Sequence, residues 1–152
     1  MAPMEHGARV VLDTNVVASA MLWSGTPLKL LHAARAQRLQ LYTSLPLLAE
    51  LTDILGRAKF TRKVAASGFT VDQLVDRYAA LARLVRPAVI APTILADPDD
   101  DVVLATAKAA RARLIVSGDR HLLSLSAGFE GIAIVSVAVA IESIGQSGSA
   151  VS

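Results

Sequence analysis

The residues of this sequence most able to do chemistry are carboxylates placed near predicted strands. Asp13 and Asp119 each follow an apolar run typical of a strand, and the dense run 97–101 opens the helix before the second of those strands. Glu50 must reach the same place from the middle of a helix. Clustered carboxylates repel one another and raise each other's pKa unless a cation binds them. The pattern therefore predicts a cation site.

The chemistry of such a site favours a hard divalent ion. Mg²⁺ and Mn²⁺ prefer oxygen ligands, and two or three carboxylates plus waters satisfy their coordination. An ion held in this way lowers the pKa of bound water and neutralises charge on a phosphoryl group, as phosphodiester hydrolysis requires. Each acid alone also fits a helix cap or a turn. A cap needs only one Asp, however, whereas four of the 13 acids lie within five residues and repel one another: Asp97, Asp99, Asp100 and Asp101.

The charge balance is compatible with a polyanionic substrate. The net charge is +2, and 15 cations face only nine acids once the four clustered ones are set aside. Eleven of the cations are Arg, whose guanidinium groups bind phosphate in a bidentate manner. A solvated basic face would give the same composition. We predict substrate contacts for the densest basic group and for the cation beside Asp119, namely Arg57, Lys59, Arg62, Lys63 and Arg120.

Several functional classes are excluded or disfavoured by composition. The chain has no Cys, which excludes disulfide scaffolds, Cys nucleophiles, zinc knuckles and iron–sulfur clusters. It has neither a glycine-rich nucleotide loop nor a Gly-x-Ser-x-Gly elbow. The mean hydropathy is +0.50, but the longest uncharged stretch, Thr14–Leu28, contains polar residues and falls short of the ~18–20 apolar residues of a spanning helix. No apolar run at the start resembles a signal peptide, so we expect a cytoplasmic protein without a membrane partner.

Short apolar runs alternate with helical patterns along the chain, which is typical of a parallel sheet covered on both faces. We predict an α/β fold, a three-layer α/β/α sandwich with about four to five parallel strands, over residues 9–144 between flexible ends at 1–8 and 145–152. The predicted strands are Arg9–Leu12, Leu39–Thr43, Leu114–Ser117 and Ile132–Val135, with Val89–Ile90 as a strand or an extended connection. In such sheets, functional residues collect at the carboxyl ends of the strands.

Helix boundaries follow from cap residues. Pro27 and Ser44 open two helices, Gly68 ends a short helix over Ala58–Ala66, and Thr70 opens a longer one with Leu74, Tyr78, Leu81 and Val85 on its face. A helix over Asp99–Arg113 begins with carboxylates and ends with Arg, as the helix dipole favours. Ser136 opens a last helix that runs to about Ser143.

Four segments carry a family resemblance in order and at fitting spacing. They are Val-Val-Leu-Asp-Thr-Asn-Val (10–16), Thr-Ser-Leu-Pro-Leu-Leu-Ala-Glu-Leu (43–51), Asp-Pro-Asp-Asp-Asp (97–101) with Leu104 and Ala107, and Ile-Val-Ser-Gly-Asp (115–119) with Leu122. On these segments the chain resembles a PIN domain, specifically the toxins of toxin–antitoxin pairs. The resemblance covers about residues 9–144. It implies a parallel α/β/α sandwich, a ribonuclease that depends on Mg²⁺ or Mn²⁺, an RNA substrate and a cognate antitoxin protein as partner.

The resemblance also implies roles for individual residues. The four family acids, which hold the metal and serve catalysis, correspond to Asp13, Glu50, Asp100 and Asp119. The neighbours Thr14, Asn15 and Ser117 support the carboxylates by hydrogen bonds.

Two positions depart from the family pattern. Asp101 lies one residue after Asp100 on the same helix start, where relatives often carry a non-acid, and it is an alternative ligand. We assign Asp99 to the cap and Asp97 to the turn. His121 stands where relatives often carry an acid. It lies two residues after Asp119, which allows it to face the site, but of the two interpretations we favour a surface residue.

Two other interpretations and a question of assembly accompany this one. A non-catalytic module of the same fold would bind a protein or RNA without cleaving it. A phosphatase of the haloacid-dehalogenase type would need a second Asp two residues after Asp13, where Asn15 stands. The Ala- and Leu-rich helices over Leu28–Ala36 and Thr70–Leu84 suit either a homodimer face or an antitoxin groove, and we expect a homodimer.

Overall fold

A five-stranded parallel sheet forms the centre of the molecule. The computed structural model describes residues 7–94, 98–125 and 127–151, except the side chains of 98 and 145–151. The strands are β1 (Ala8–Leu12), β2 (Leu39–Thr43), β3 (Arg83–Leu84), β4 (Leu114–Val116) and β5 (Ala133–Val135). They lie in the order β3-β2-β1-β4-β5, and every pairing is parallel. The predicted fold class is confirmed.

Helices cover both faces of this sheet. They are α1 (Thr14–Leu22), α2 (Leu28–Arg35), α3 (Leu45–Leu55), α4 (Thr61–Ser67), α5 (Val71–Leu81), α6 (Pro98–Ala110), α7 (Arg120–Leu123) and α8 (Val137–Val151), with a 3-10 turn at Ala58–Phe60. Alternate residues of β1 point to opposite faces, as strand geometry requires. Val10 and Leu12 pack into a core with α1, α2, α3, α5 and α8, whereas Val11 packs into a second core built largely on α6.

Two helix boundaries form by the local chemistry that the sequence indicates. Thr70 and Gln73 make a reciprocal capping box at the start of α5, with the Gln73 N–H donating to the Thr70 hydroxyl at 3.1 Å. Gly68 ends α4 with φ +80°, a left-handed conformation that costs glycine little.

Two other helix starts differ from the prediction. Pro27 precedes α2 instead of forming its first residue, and no side chain caps that helix. The Ser44 hydroxyl does not cap α3 but lies 2.8 Å from the Thr106 hydroxyl on α6, where both groups are buried.

The segment after α5 corrects the predicted helix through Val85. The helix ends at Leu81, and Arg83–Leu84 form the edge strand β3, because the exposed side of β2 offers pairing partners at Tyr42 and Thr43. The Val85 N–H extends this pairing to the Thr43 carbonyl at 2.9 Å. Val89 is 97% exposed and belongs to an irregular connection, so of the two options for Val89–Ile90 the extended one is observed.

The ends of three elements also shift. α6 stops at Ala110, short of the predicted Arg113, because Arg111 adopts a left-handed φ of +53° that breaks the helix. α8 continues past Ser143 to Val151, and β1 begins at Ala8. Within the described residues, no helix combines the length and apolar character needed to cross a bilayer.

The core beneath α6 gives a prediction for stability. Leu104 is fully buried against the sheet, so Leu104→Ala is expected to lower the free energy of unfolding by about 2–5 kcal/mol, measured by urea denaturation. Val89→Ala is the control and is expected to stay within about 0.5 kcal/mol of the unsubstituted protein. Equal losses for the two variants would contradict this packing.

Candidate metal centre

The loops that follow β1 and β4 meet at the carboxyl end of the sheet. The chain runs from β1 outward to β2 and β3, then returns to the other side of β1 to form β4 and β5. The gap between β1 and β4 is therefore the point where strand order reverses, the usual ligand position in open α/β sheets. Asp13 follows β1 and Ser117 follows β4, and the Asp13 N–H donates to the Val116 carbonyl at 2.9 Å.

Both oxygens of the Asp13 carboxylate accept hydrogen bonds. The Thr14 N–H donates to Oδ1 at 2.8 Å, which caps α1, and the Ser117 hydroxyl donates to Oδ2 at 2.8 Å. The same Ser117 oxygen accepts the Asp119 N–H at 2.9 Å. Ser117 is fully buried and so fixes the two acids relative to each other. Thr14 thus contacts the Asp13 carboxylate through its backbone and Ser117 through its side chain.

Asp13 has an altered acidity. Burial raises the pKa of its carboxyl above the ordinary value of 3.8, because the charged form loses hydration. The hydrogen bonds from Ser117 and Thr14 oppose this rise, and the nearby charge of Asp119 adds to it. The ionised carboxylate is therefore held at a cost that a bound cation would relieve.

Asp100, Asp119 and His121 form a compact group of ligand-type atoms. One atom from each lies within 4.8 Å of the others. The His121 Nδ1 is 3.5 Å from Asp119 Oδ1 and 3.8 Å from Asp100 Oδ2. Asp119 caps α7, accepting the His121 N–H at 2.7 Å, and Asp100 lies in the first turn of α6. Because Asp13 caps α1, three helix N-termini, the positive ends of helix dipoles, carry these acids.

The donor set fits a divalent cation. The His121 Nδ1 is buried and has no hydrogen-bond partner within the described chain, although it lies between two carboxylates. Carboxylate oxygens suit Mg²⁺ and Mn²⁺, and an imidazole nitrogen is compatible with Mn²⁺. His121, interpreted from sequence as a surface residue, thus lies in the group. Its position two residues after Asp119 could have indicated this, but the sequence does not show that Asp100 lies beside both residues.

The other predicted ligands lie differently. Glu50 is half-buried in the middle of α3, three residues after buried Leu47. Asp101 accepts the Ile94 N–H at 2.8 Å and the Thr93 N–H at 3.0 Å, one on each oxygen, which favours Asp100 as the ligand. Among the described residues, Asp13, Glu50 and Asp101 all lie outside the compact group, and Asp13 is linked to it through Ser117, which hydrogen-bonds both Asp13 and Asp119.

Three further residues of the prediction stand apart from the carboxylates. Asn15 is exposed on the first turn of α1, and no hydrogen bond from it to a carboxylate is seen in the described part of the chain. Asp99 is exposed one residue inside α6, which begins at Pro98, so it is not the cap. Asp97 lies outside the described residues.

The predicted substrate-binding cations fall in two places. Arg120 is exposed directly after Asp119, beside the carboxylates. The group Arg57, Lys59, Arg62 and Lys63 is exposed around α4, which packs near the end of α1 that carries Trp23. Trp23 lies ten residues after Asp13, about 15 Å along the axis of α1.

The acidity of Asp13 predicts a pH-dependent effect of Asp13→Asn on stability. The folded-state pKa is raised, so the folded protein loses stability as pH rises from 3.8 through that pKa. In EDTA at pH 8 we expect Asp13→Asn to have a higher melting temperature than the unsubstituted protein, because Asn carries no buried charge. The increase should be about 2–4 °C for each kcal/mol by which the substitution stabilises the fold. The gain should shrink towards pH 4. Circular-dichroism melts measure it, with exposed Asp76→Asn as control; a lower melting temperature for Asp13→Asn at pH 8 would contradict the assignment.

Comparison with known proteins agrees with this geometry. Residues 9–121 match the model of the PIN domain. A solved chain in the crystal structure of VapBC2 from Rickettsia felis, bound to a DNA fragment from their promoter, is similar in fold: the TM-score is 0.56 and the identity 13%, over 84% of this chain and 98% of that one. None of the curated proteins matches the sequence. Since the family model spans most of the chain and the sheet has the expected topology, this protein belongs to the PIN domain family, whose members are generally nucleases.

Proposed function

We propose that this protein is a ribonuclease that hydrolyses RNA phosphodiester bonds with the help of Mg²⁺ or Mn²⁺. The observation that carries the proposal is the grouping of Asp100, Asp119 and His121 beside the buried carboxylate of Asp13. Such a group of acids is stable when a cation binds it. Family membership supports nuclease chemistry, and the Arg-rich composition supports a polyanionic substrate.

Individual residues have distinct roles in this proposal. Asp13, Asp100 and Asp119 hold the ion, with Glu50 completing the set from α3. Ser117 and Thr14 keep the Asp13 carboxylate oriented towards the ion by their hydrogen bonds. Arg120 contacts a phosphate beside the site. When bound, the ion supplies Lewis acidity, which lowers the pKa of water and offsets charge on the phosphoryl oxygens.

The biological role that we propose is that of the toxin of a toxin–antitoxin pair, acting on RNA in the cytoplasm. The similar chain from Rickettsia felis belongs to a VapBC2 assembly, which supports this role. A groove of about 770 Å³ along α2 offers a surface for a partner protein. Its lining includes apolar Leu28, Ile141 and Ile144 together with Ala36.

The acids give a prediction for metal binding and cleavage. In calorimetry on EDTA-stripped protein, Asp13→Asn, Asp100→Asn and Asp119→Asn are expected to lose Mn²⁺ binding. In a fluorogenic RNA assay they are expected to lose metal-dependent cleavage by about 100-fold or more, because a lost ligand exceeds the 10–100-fold effect of outer-shell changes. Exposed Asp99→Asn, in the same turn as Asp100, is the matched control.

Two outcomes of this experiment decide between alternatives. Cleavage by Asp13→Asn at the unsubstituted rate would overturn the proposed metal centre. Metal-independent RNA binding without any cleavage by the unsubstituted protein would favour the non-catalytic module. Comparing Asp100→Asn with Asp101→Asn tests the choice of ligand, and His121→Asn tests whether the imidazole contributes to Mn²⁺ affinity.

The groove along α2 gives a prediction for assembly. We expect a homodimer, so light scattering should give about twice the chain mass of 15.9 kDa. Ala36→Arg places a charge in the groove and is expected to reduce the mass to that of one chain if the groove is the dimer face. A monomeric unsubstituted protein would contradict the dimer and leave the groove to an antitoxin.

A further inference from the structure

The end of α1 far from the carboxylates carries a surface patch of rings and cations, here called the aromatic–basic patch: exposed Trp23, Lys59, Arg62 and Lys63, with half-buried Phe60. Trp23 is 39% exposed, and its ring meets the Phe60 ring edge-on with the ring centroids 5.8 Å apart. The Lys63 Nζ lies 5.3 Å from the Trp23 centroid, and the Lys59 Nζ lies 5.0 Å from the Phe60 centroid. Each ring is thus accompanied by a cation.

The aromatic residues of the chain are unevenly distributed. There are six, and both Tyr residues are buried. Exposed Phe69, at the other end of α4 from Phe60, adds a third ring–cation pair, with the Arg77 guanidinium 4.4 Å from its centroid. Among the described residues, Trp23 and Phe69 are the exposed aromatic side chains, and a cation lies over each ring.

The charge of the patch is complementary to a phosphate backbone. Lys59, Arg62 and Lys63 are exposed within five residues of one another. Asp53, six residues before Lys59 in the chain, pairs with Arg57 at 3.4 Å, so that pair contributes little net charge. Stacking rings among cations are the combination that binds single-stranded nucleic acid without reading its sequence.

The exposed side of α1 connects the patch to the carboxylates. Asn15, Ser19 and Trp23 follow one another at intervals of four residues, so they share one side of the helix. Asn15 and Trp23 are exposed and Ser19 is half-buried. An RNA strand along this uncharged path would span the ~15 Å between Asp13 and Trp23, a distance of a few nucleotides.

We propose that Trp23 is a stacking platform for an unpaired base of the RNA substrate, with Lys59, Arg62 and Lys63 contacting the adjoining backbone. The proposal rests on the proposed ribonuclease function and specifies its substrate class as single-stranded RNA. A base inside a duplex has both faces covered by its neighbours and cannot stack on Trp23. Trp23 is a positioning residue, since it does not touch the reacting phosphate.

The single tryptophan of the chain makes a direct test available. With the full chain in EDTA, where cleavage is prevented, single-stranded oligoribonucleotides are expected to quench Trp23 fluorescence on binding. Tripolyphosphate, which has charge but no bases, and duplex RNA are expected to leave the quantum yield nearly unchanged. Unchanged fluorescence with saturating single strands would overturn the proposal.

Substitutions separate stacking from charge. By fluorescence anisotropy of labelled RNA, Trp23→Ala is expected to weaken binding roughly 5- to 150-fold, whereas Trp23→Phe keeps most of the affinity. Lys63→Gln is expected to lower the slope of log Kd against log salt by about 0.7. Arg111→Gln, an exposed cation at the end of α6 on the opposite side of the sheet, is the matched control.

The metal-dependent cleavage assay keeps this proposal distinct from the function it rests on. If the unsubstituted protein, Trp23→Phe and Trp23→Ala all cleave RNA with the same KM, the stacking role is contradicted but the ribonuclease function is not. A raised KM with nearly unchanged kcat for Trp23→Ala supports it. Loss of self-association in Trp23→Ala, with RNA affinity unchanged, would instead identify the patch as a protein interface and overturn the proposal.

Discussion

The burial of the charged Asp13 side chain is the constraint on which the rest of the site depends. A carboxylate with 4% exposure at the end of the central strand is tolerable only where donors surround it. The Ser117 hydroxyl and the Thr14 N–H meet this need. Both require that β4 lie beside β1 and that α1 begin immediately after Asp13, so the strand order and the helix start are coupled to one side chain.

Asp119 extends this constraint to the other acids. Its N–H donates to Ser117, and its carboxylate caps α7 and approaches His121. His121 in turn approaches Asp100 at the start of α6, which lies on the second core. The carboxylates are therefore brought together by elements on both faces of the sheet, and neither layer alone would assemble them.

The sequence predicts those features that depend only on neighbouring residues. The capping box at Thr70 and the left-handed Gly68 need only neighbouring residues, and both boundaries were predictable. The two-residue strand β3 is too short to show a period of two and depends on β2 for pairing, so the helical pattern through Val85 was misleading.

The same distinction between local and tertiary features applies to the site. Asp13 and Asp119 follow predicted strands and the run 97–101 opens a predicted helix, whereas the choice of Asp100 within that run rests on the family resemblance. Other features depend on tertiary contacts that the sequence does not show. They are the closeness of His121 to Asp100, the exposed position of Asn15 and the ring–cation pairs around Trp23. An aromatic content of 4% gives no sign of a base-stacking site, because composition cannot show that Trp23 and Phe60 meet beside Lys59 and Lys63.

The two hydrogen bonds of Asp101 have a mechanical consequence. By holding the N–H groups of Thr93 and Ile94, this carboxylate fastens the long irregular connection from β3 to the first turn of α6. Asp100 is the preceding residue of that turn. A change in the position of Thr93 or Ile94 would therefore act on the residue that directly follows Asp100. A segment outside the carboxylate group thus contributes to where Asp100 lies.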